Sequence, residues 1–156
     1  MKIRFIWGFL LMFFLATGCA KSEDMSSQLQ CDINIPILYL KLLDKNTGEN
    51  LIEKKVVNQS QLTLSNTAFG NLSYKMHGAD GAYPHSIEVQ APDGSNLRPK
   101  LSVHLNDVSI AINYTVNQVD KKAYPCGGYD ISDITVENYE ATVSDKPFAH
   151  TISIKL

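Results

Sequence analysis

Histidines, carboxylates, serines and cysteines are the side chains that could do chemistry in this chain, and their spacing decides which chemistry is open to them. The four histidines, His77, His85, His104 and His150, show no ligand spacing. His77 and His85 are separated by Gly78-Ala79-Asp80-Gly81-Ala82-Tyr83-Pro84, unlike zinc-site spacings or the H-E-x-x-H pattern, so no metal is predicted. His104 shares alternation parity with Arg98 and Lys100, which places it on a solvated face. His150 shares parity with Phe148, Ile152 and Ile154 and is expected to be a hydrogen-bonded histidine of the core or its rim. Ser73, Ser86 and Ser102 fall on polar strand faces, and no G-x-S-x-G nucleophile motif is present. Asp130, Asp133 and Glu137 follow the Gly127-Gly128 turn and could gather a calcium ion. The D-x-D-x-D-G loop is absent, and a solvated acidic turn is the better reading.

What remains is recognition without bond-making. The segment from His77 to His85 is the longest without strand alternation and carries His77, Asp80, Tyr83 and His85 among glycines. A second turn, Pro125 to Asp130, ends in Tyr129 and Asp130. Gly, Tyr and Pro in such loops expose backbone groups and aromatic surface together, and loops on a rigid scaffold are where binding residues gather. These six residues are the candidate binding residues. No catalytic residue, metal or cofactor is assigned.

The cysteines carry covalent chemistry of a different kind. Lys2 and Arg4 precede an unbroken apolar or small stretch from Phe5 to Ala16 that ends in Thr17-Gly18-Cys19, the layout of an export signal. The stretch is shorter than the roughly 20 residues a helix needs to cross a bilayer. Leu15-Ala16-Thr17-Gly18-Cys19 resembles the lipobox of bacterial lipoproteins, with Ala16 where the commonest pattern has leucine. The resemblance implies that residues 1–18 are a signal peptide that is removed and that Cys19 becomes the mature N-terminus. It further implies a thioether-linked diacylglycerol on Cys19, usually with a third acyl chain such as palmitate on its amine. Two or more chains anchor a protein stably, because each buried methylene adds about 0.8 kcal/mol. The expected location is the bacterial cell envelope, on the outer membrane. Residues 19–30 are then the lipidated cysteine and a polar tether without periodicity. Lys21-Ser22-Glu23-Asp24 also resembles the short acidic export signals of some Bacteroidota surface lipoproteins.

With Cys19 assigned to lipid, Cys31 and Cys126 remain, and an oxidising compartment predicts a disulfide between them. Closing a loop of about 100 residues gives roughly 4.7 kcal/mol in the chain-entropy model, usually less when measured. There is no C-x-x-C and no histidine beside either cysteine to suggest a reactive or metal-binding thiol.

The elements that must position these residues are strands. From Cys31 onward the dominant signal is period two. Leu97, Pro99, Leu101, Val103 and Leu105 alternate with polar residues, as do Val108, Ile110, Ile112, Tyr114 and Val116, with only Asn106-Asp107 between the runs. A two-residue hairpin turn would pair Leu105 with Val108, Val103 with Ile110, Leu101 with Ile112 and Pro99 with Tyr114. Further strands are predicted at 33–43, 51–57, 62–64, 72–76, 86–91, 131–136, 139–143 and 148–156. Pro36 suggests a bulge or an edge position. Pro92-Asp93-Gly94 and Asp145-Lys146-Pro147 read as turns. The fold class is all-β: residues 31–156 form a single antiparallel β-sandwich of about 8 to 10 strands, immunoglobulin-like or prealbumin-like. Leu43-Asp44-Lys45-Asn46-Thr47-Gly48-Glu49-Asn50-Leu51 resembles the opening turn of carboxypeptidase regulatory-like, prealbumin-type surface domains. That resemblance implies a structural or adhesive role.

The 14 Lys and Arg are scattered among 16 Asp and Glu, so no basic stripe faces a phosphate backbone and nucleic acid is not an expected partner. The sequons at Asn58, Asn71 and Asn113 are discounted, because the lipobox points to a bacterium. The expected function is that of a membrane-anchored, non-enzymatic β-sandwich that binds a protein, glycan or envelope partner. The alternatives are a small hydrolase or metal-dependent enzyme on the same scaffold, and an inhibitor or immunity-type envelope protein. If Cys19 is acylated, the chain partitions into detergent and a Cys19→Ser variant does not; equal partitioning of the two would contradict lipidation.

Overall fold

The computed structural model describes residues 34–91, 100–120, 122, 124 and 126–156, all within one compact unit, Asp32–Leu156. Its elements are β1 (Ile37–Leu43), β2 (Leu62–Asn66), β3 (Gly70–Asn71), β4 (Tyr74–Met76), β5 (Ile87–Gln90), β6 (Lys100–Leu105), β7 (Val108–Gln118), β8 (Tyr129–Glu137), β9 (Ala141–Lys146) and β10 (Ala149–Lys155). They form two five-stranded sheets, β4-β5-β1-β10-β9 and β3-β2-β6-β7-β8. The inward residues of both sheets, among them Leu38, Leu40, Ile110, Ile112, Ile152 and Ile154, make one continuous buried core. This is the antiparallel-dominated β-sandwich that the alternation predicts.

The β6–β7 hairpin has the predicted register. Leu105 faces Val108, Val103 faces Ile110 and Leu101 faces Ile112, while Pro99 lies outside the described residues. Asn106 takes φ 50° at the turn, a conformation asparagine tolerates better than most residues. Tyr114 points inward on β7, where Asn66 Nδ2 donates to its hydroxyl at 3.2 Å. Burial pushes that hydroxyl up to about 12.

Four local expectations are corrected. Residues 51–57 are a run of turns, not a strand: Lys54 N–H bonds the Asn50 carbonyl, Lys55 N–H bonds Ile52, and Asn50 Oδ1 accepts from Ile52 N–H and Glu53 N–H. The side-chain cap of Asn50 outcompetes the ladder, yet Ile52 and Val57 still reach the core, which is why the segment reads as apolar. The chain reversal expected at 145–147 falls instead at Pro147-Phe148, with Phe148 at φ 59°, because the ladder runs to Lys146 opposite Ala149. Pro36 is neither in a bulge nor on an edge: it immediately precedes β1, a central strand, and its carbonyl accepts from Ala91 N–H. The predicted strand 72–76 is also shorter, since β3 belongs to one sheet and β4 to the other, and the chain crosses between them at Leu72-Ser73. The predicted turn at 92–94 lies outside the described residues.

Ile110 is fully buried at the centre of the hairpin. Ile110→Ala should lower the unfolding free energy by about 2–5 kcal/mol in urea titration, whereas Ser109→Ala on the exposed face stays within about 0.5 kcal/mol. Equal effects would show that the register does not carry the core.

Candidate functional site

The loop carrying His77, Asp80, Tyr83 and His85 joins β4 to β5 and folds back over the outer face of their sheet. Its neck is closed by backbone bonds from His77 N–H to Ser86 and from His85 N–H to Gly78, at 2.8 and 2.9 Å. Ser86 Oγ donates to the Tyr83 carbonyl. Tyr83 then stacks on Tyr39 with ring centroids 3.6 Å apart and planes 11° from parallel. Lys146 Nζ lies 5.9 Å from the Tyr83 ring. Tyr39 faces outward from β1 by parity and would be solvated without this loop; it is only 8% exposed. Burial, then the Glu88 carboxylate, then Tyr83 push its hydroxyl above the ordinary tyrosine range. His77 Nε2 meets Glu88 Oε2 at 2.6 Å. His77 and Tyr83 therefore fasten the loop to the sheet, and Asp80 is left exposed near the loop tip.

His85 belongs to a neighbouring feature. Beside the loop lies a cleft of about 450 Å³ floored by Lys41 and Leu43 of β1 and walled by Gly48, Glu49, Asn50, Glu53, Lys54, Pro84 and His85. Its walls are built by local bonds. Asp44 Oδ1 accepts from Asn46 N–H, Thr47 N–H and Thr47 Oγ1, and these bonds, led by the Thr47 amide, hold the Asp44 carboxyl below the usual range. Gly48 follows at φ 73°. Asn50 Nδ2 donates to the His85 carbonyl at 2.9 Å and so ties the loop to the turn. His85 itself sits at φ 51°, an uncommon conformation for a non-glycine residue that these ties maintain. Glu49 and Lys54 pair across the rim at 2.8 Å, which raises the Lys54 ammonium above its ordinary value.

Tyr129 and Asp130 open β8 and are not part of a turn. Tyr129 N–H bonds the Asn34 carbonyl at 3.0 Å. Asp130 Oδ1 is 2.7 Å from His150 Nε2, and Asp145 Oδ1 is 2.9 Å from His150 Nδ1. His150 is 3% exposed on the inner side of β10, so this bridge links the two sheets from β8 to β10 and β9. It is the bonded core histidine expected from parity. The other carboxylates considered for calcium are elsewhere. Asp133 accepts from Ser132 Oγ, and Glu137 receives Asn113 Nδ2 and Lys100 Nζ, which together hold its carboxyl below the usual range. Among the described residues no group of three or more His, Cys, Asp or Glu side chains is arranged to hold a metal ion. A second depression of about 400 Å³ lies over the irregularity in the β7–β8 ladder, beside Asn113, Thr115, Asp133 and Thr135. Cys19 and Cys31 lie outside the described residues, and His104 is exposed on β6.

No protein-family model, curated protein or solved structure matches the chain. Sequence reasoning named the loop but missed its partners. Tyr39, Lys41 and Glu88 were legible only as outward parity on their strands, and Asn50 only as one letter of a turn motif.

The bridge predicts an asymmetric response to substitution. Asp130→Ala leaves a buried ring nitrogen without its partner and should cost about 1–3 kcal/mol. Asp145 is 67% exposed in its side chain, and Asp145→Ala should cost less than about 1 kcal/mol. Thermal melts of both variants at neutral pH check the order; the reverse order would place the weight of the bridge on the wrong arm.

Proposed function

We propose that the protein is a lipoprotein of the bacterial envelope, held on the outer membrane through lipid on Cys19, whose β-sandwich binds a protein or glycan partner without transforming it. The observation that carries the binding reading is the cleft beside the Tyr83 loop. It joins a loop, a turn and the outer face of β1 through the Asn50 to His85 bond. Charged and amide groups line it alongside Leu43 and Pro84, a surface suited to a polar, extended ligand. In support of binding over catalysis, Nε2 of His77 and both ring nitrogens of His150 lie against carboxylates that fasten a loop and join two sheets.

Lys41→Ala and His85→Ala alter the cleft without touching the core. Each should weaken capture of an envelope component at least about tenfold, a loss of 1.4 kcal/mol; Lys41→Ala should leave the melting temperature unchanged, and His85→Ala, which puts alanine at φ 51°, should lower it slightly. Undiminished capture by both variants would remove the cleft from consideration. Hydrolysis of an envelope substrate that is lost in His77→Ala or His85→Ala would overturn the non-enzymatic reading.

The proposed domain retains the disulfide between Cys31 and Cys126. Its support is the position of Asn34, three residues beyond Cys31, against the turn that holds Cys126. Asn34 forms a parallel bridge with Gly128, and its Nδ2 donates to the Gly127 carbonyl at 3.2 Å. Gly128 is required there: a methyl group would stand 2.5 Å from the Asn34 carbonyl oxygen, and φ is +138°. Mass spectrometry of non-reduced peptides from envelope-derived protein should find Cys31 joined to Cys126. Two alkylatable thiols at those positions would contradict it.

A further inference from the structure

The four sheet edges are unequal. β3 and β4 are two and three residues long, and β8 is broken by an irregularity. β9 is a regular six-residue edge with a strand on one side only among the described residues. Lys155 N–H bonds the Glu140 carbonyl at 2.9 Å, and the register pairs Ile154 with Ala141. In an antiparallel ladder the backbone groups of alternate residues point to the same side. Glu140, Thr142, Ser144 and Lys146 therefore turn theirs toward β10, and Ala141, Val143 and Asp145 turn three N–H and three C=O groups outward. Such an edge is a template for another strand.

From this edge we infer that the protein forms a two-fold dimer by antiparallel pairing of β9 with β9 of a second copy, centred on Val143. The two-fold axis perpendicular to the sheet requires partners of like parity, and centring on Val143 sets Ala141 against Asp145, Thr142 against Ser144 and Glu140 against Lys146. The outward backbone groups of both copies are then paired with one another. Opposite charges meet twice, at the non-hydrogen-bonded positions where side chains come closest. Glu140 can receive a second cation, since Lys155 Nζ occupies only its Oε1 at 2.6 Å. Val143, 38% exposed, meets its own copy and is covered. Centring on Thr142 or Ser144 loses both charge pairs, so charge fixes the register. The two copies then share one continuous sheet, and both β1 outer faces, with their clefts, lie on the same side of it.

Sedimentation equilibrium of the full chain in density-matched detergent tests this. The wild type should be a concentration-dependent dimer. Lys146→Glu replaces two attractions by two repulsions, and Val143→Pro removes an outward N–H that β10 does not use. Each should weaken association at least about tenfold, with Lys75→Glu on β4 as a charge-matched control that leaves it intact. A wild type that stays monomeric into the millimolar range overturns the inference. So does a dimer indifferent to both β9 variants, or one weakened equally by Lys75→Glu.

Discussion

The parallel pairing of β1 with β10 is the contact on which the rest of the architecture depends. It joins residues from opposite ends of the domain in a continuous register from Ile37 opposite Ala149 to Leu43 opposite Lys155. Parallel strands cannot be joined by a tight turn, and this pair closes the long loop made by the rest of the domain. Once made, it fixes both faces of the first sheet. Leu38, Leu40 and Leu42 go inward beside Ile152 and Ile154, which leaves Tyr39 and Lys41 on the outer face.

Both sides of that sheet follow from this register. Inward, His150 is carried on β10 among apolar neighbours to the one place where carboxylates from β8 and β9 can take its two ring nitrogens. A buried polar ring is tolerated because both nitrogens are satisfied. Outward, Tyr39 supplies the aromatic surface on which Tyr83 lands, and the loop so fixed puts Pro84 and His85 on the cleft wall. The same outer face ends at β9, which is an edge strand of the first sheet among the described residues.

How much of this was legible in the sequence depended on how local each feature is. The β6–β7 hairpin could be read to the residue, because a two-residue turn and strict alternation leave one register. His150 was placed correctly by parity alone. The Leu51–Val57 segment misled because its apolar residues bury in turns capped by Asn50, and an apolar pattern does not reveal a side-chain cap. Asp130 read as part of a solvated turn because its partner is twenty residues away on another sheet. The Tyr39 to Tyr83 stack, the Asn50 to His85 tie and the β1–β10 pairing were invisible for the same reason, being contacts between segments that no local period connects.

Native-state hydrogen exchange tests the primacy of the β1–β10 ladder most directly. If that pairing holds the sandwich together, the amides bonded across Ile37–Leu43 and Ala149–Lys155 exchange only with global unfolding and at the same free energy as each other. The loop 77–86 should open at lower cost without releasing them. Early, independent exchange of β1 while the β6–β7 hairpin stays protected would contradict the account, and would make the hairpin, not the joining of the two chain ends, the element on which the fold rests.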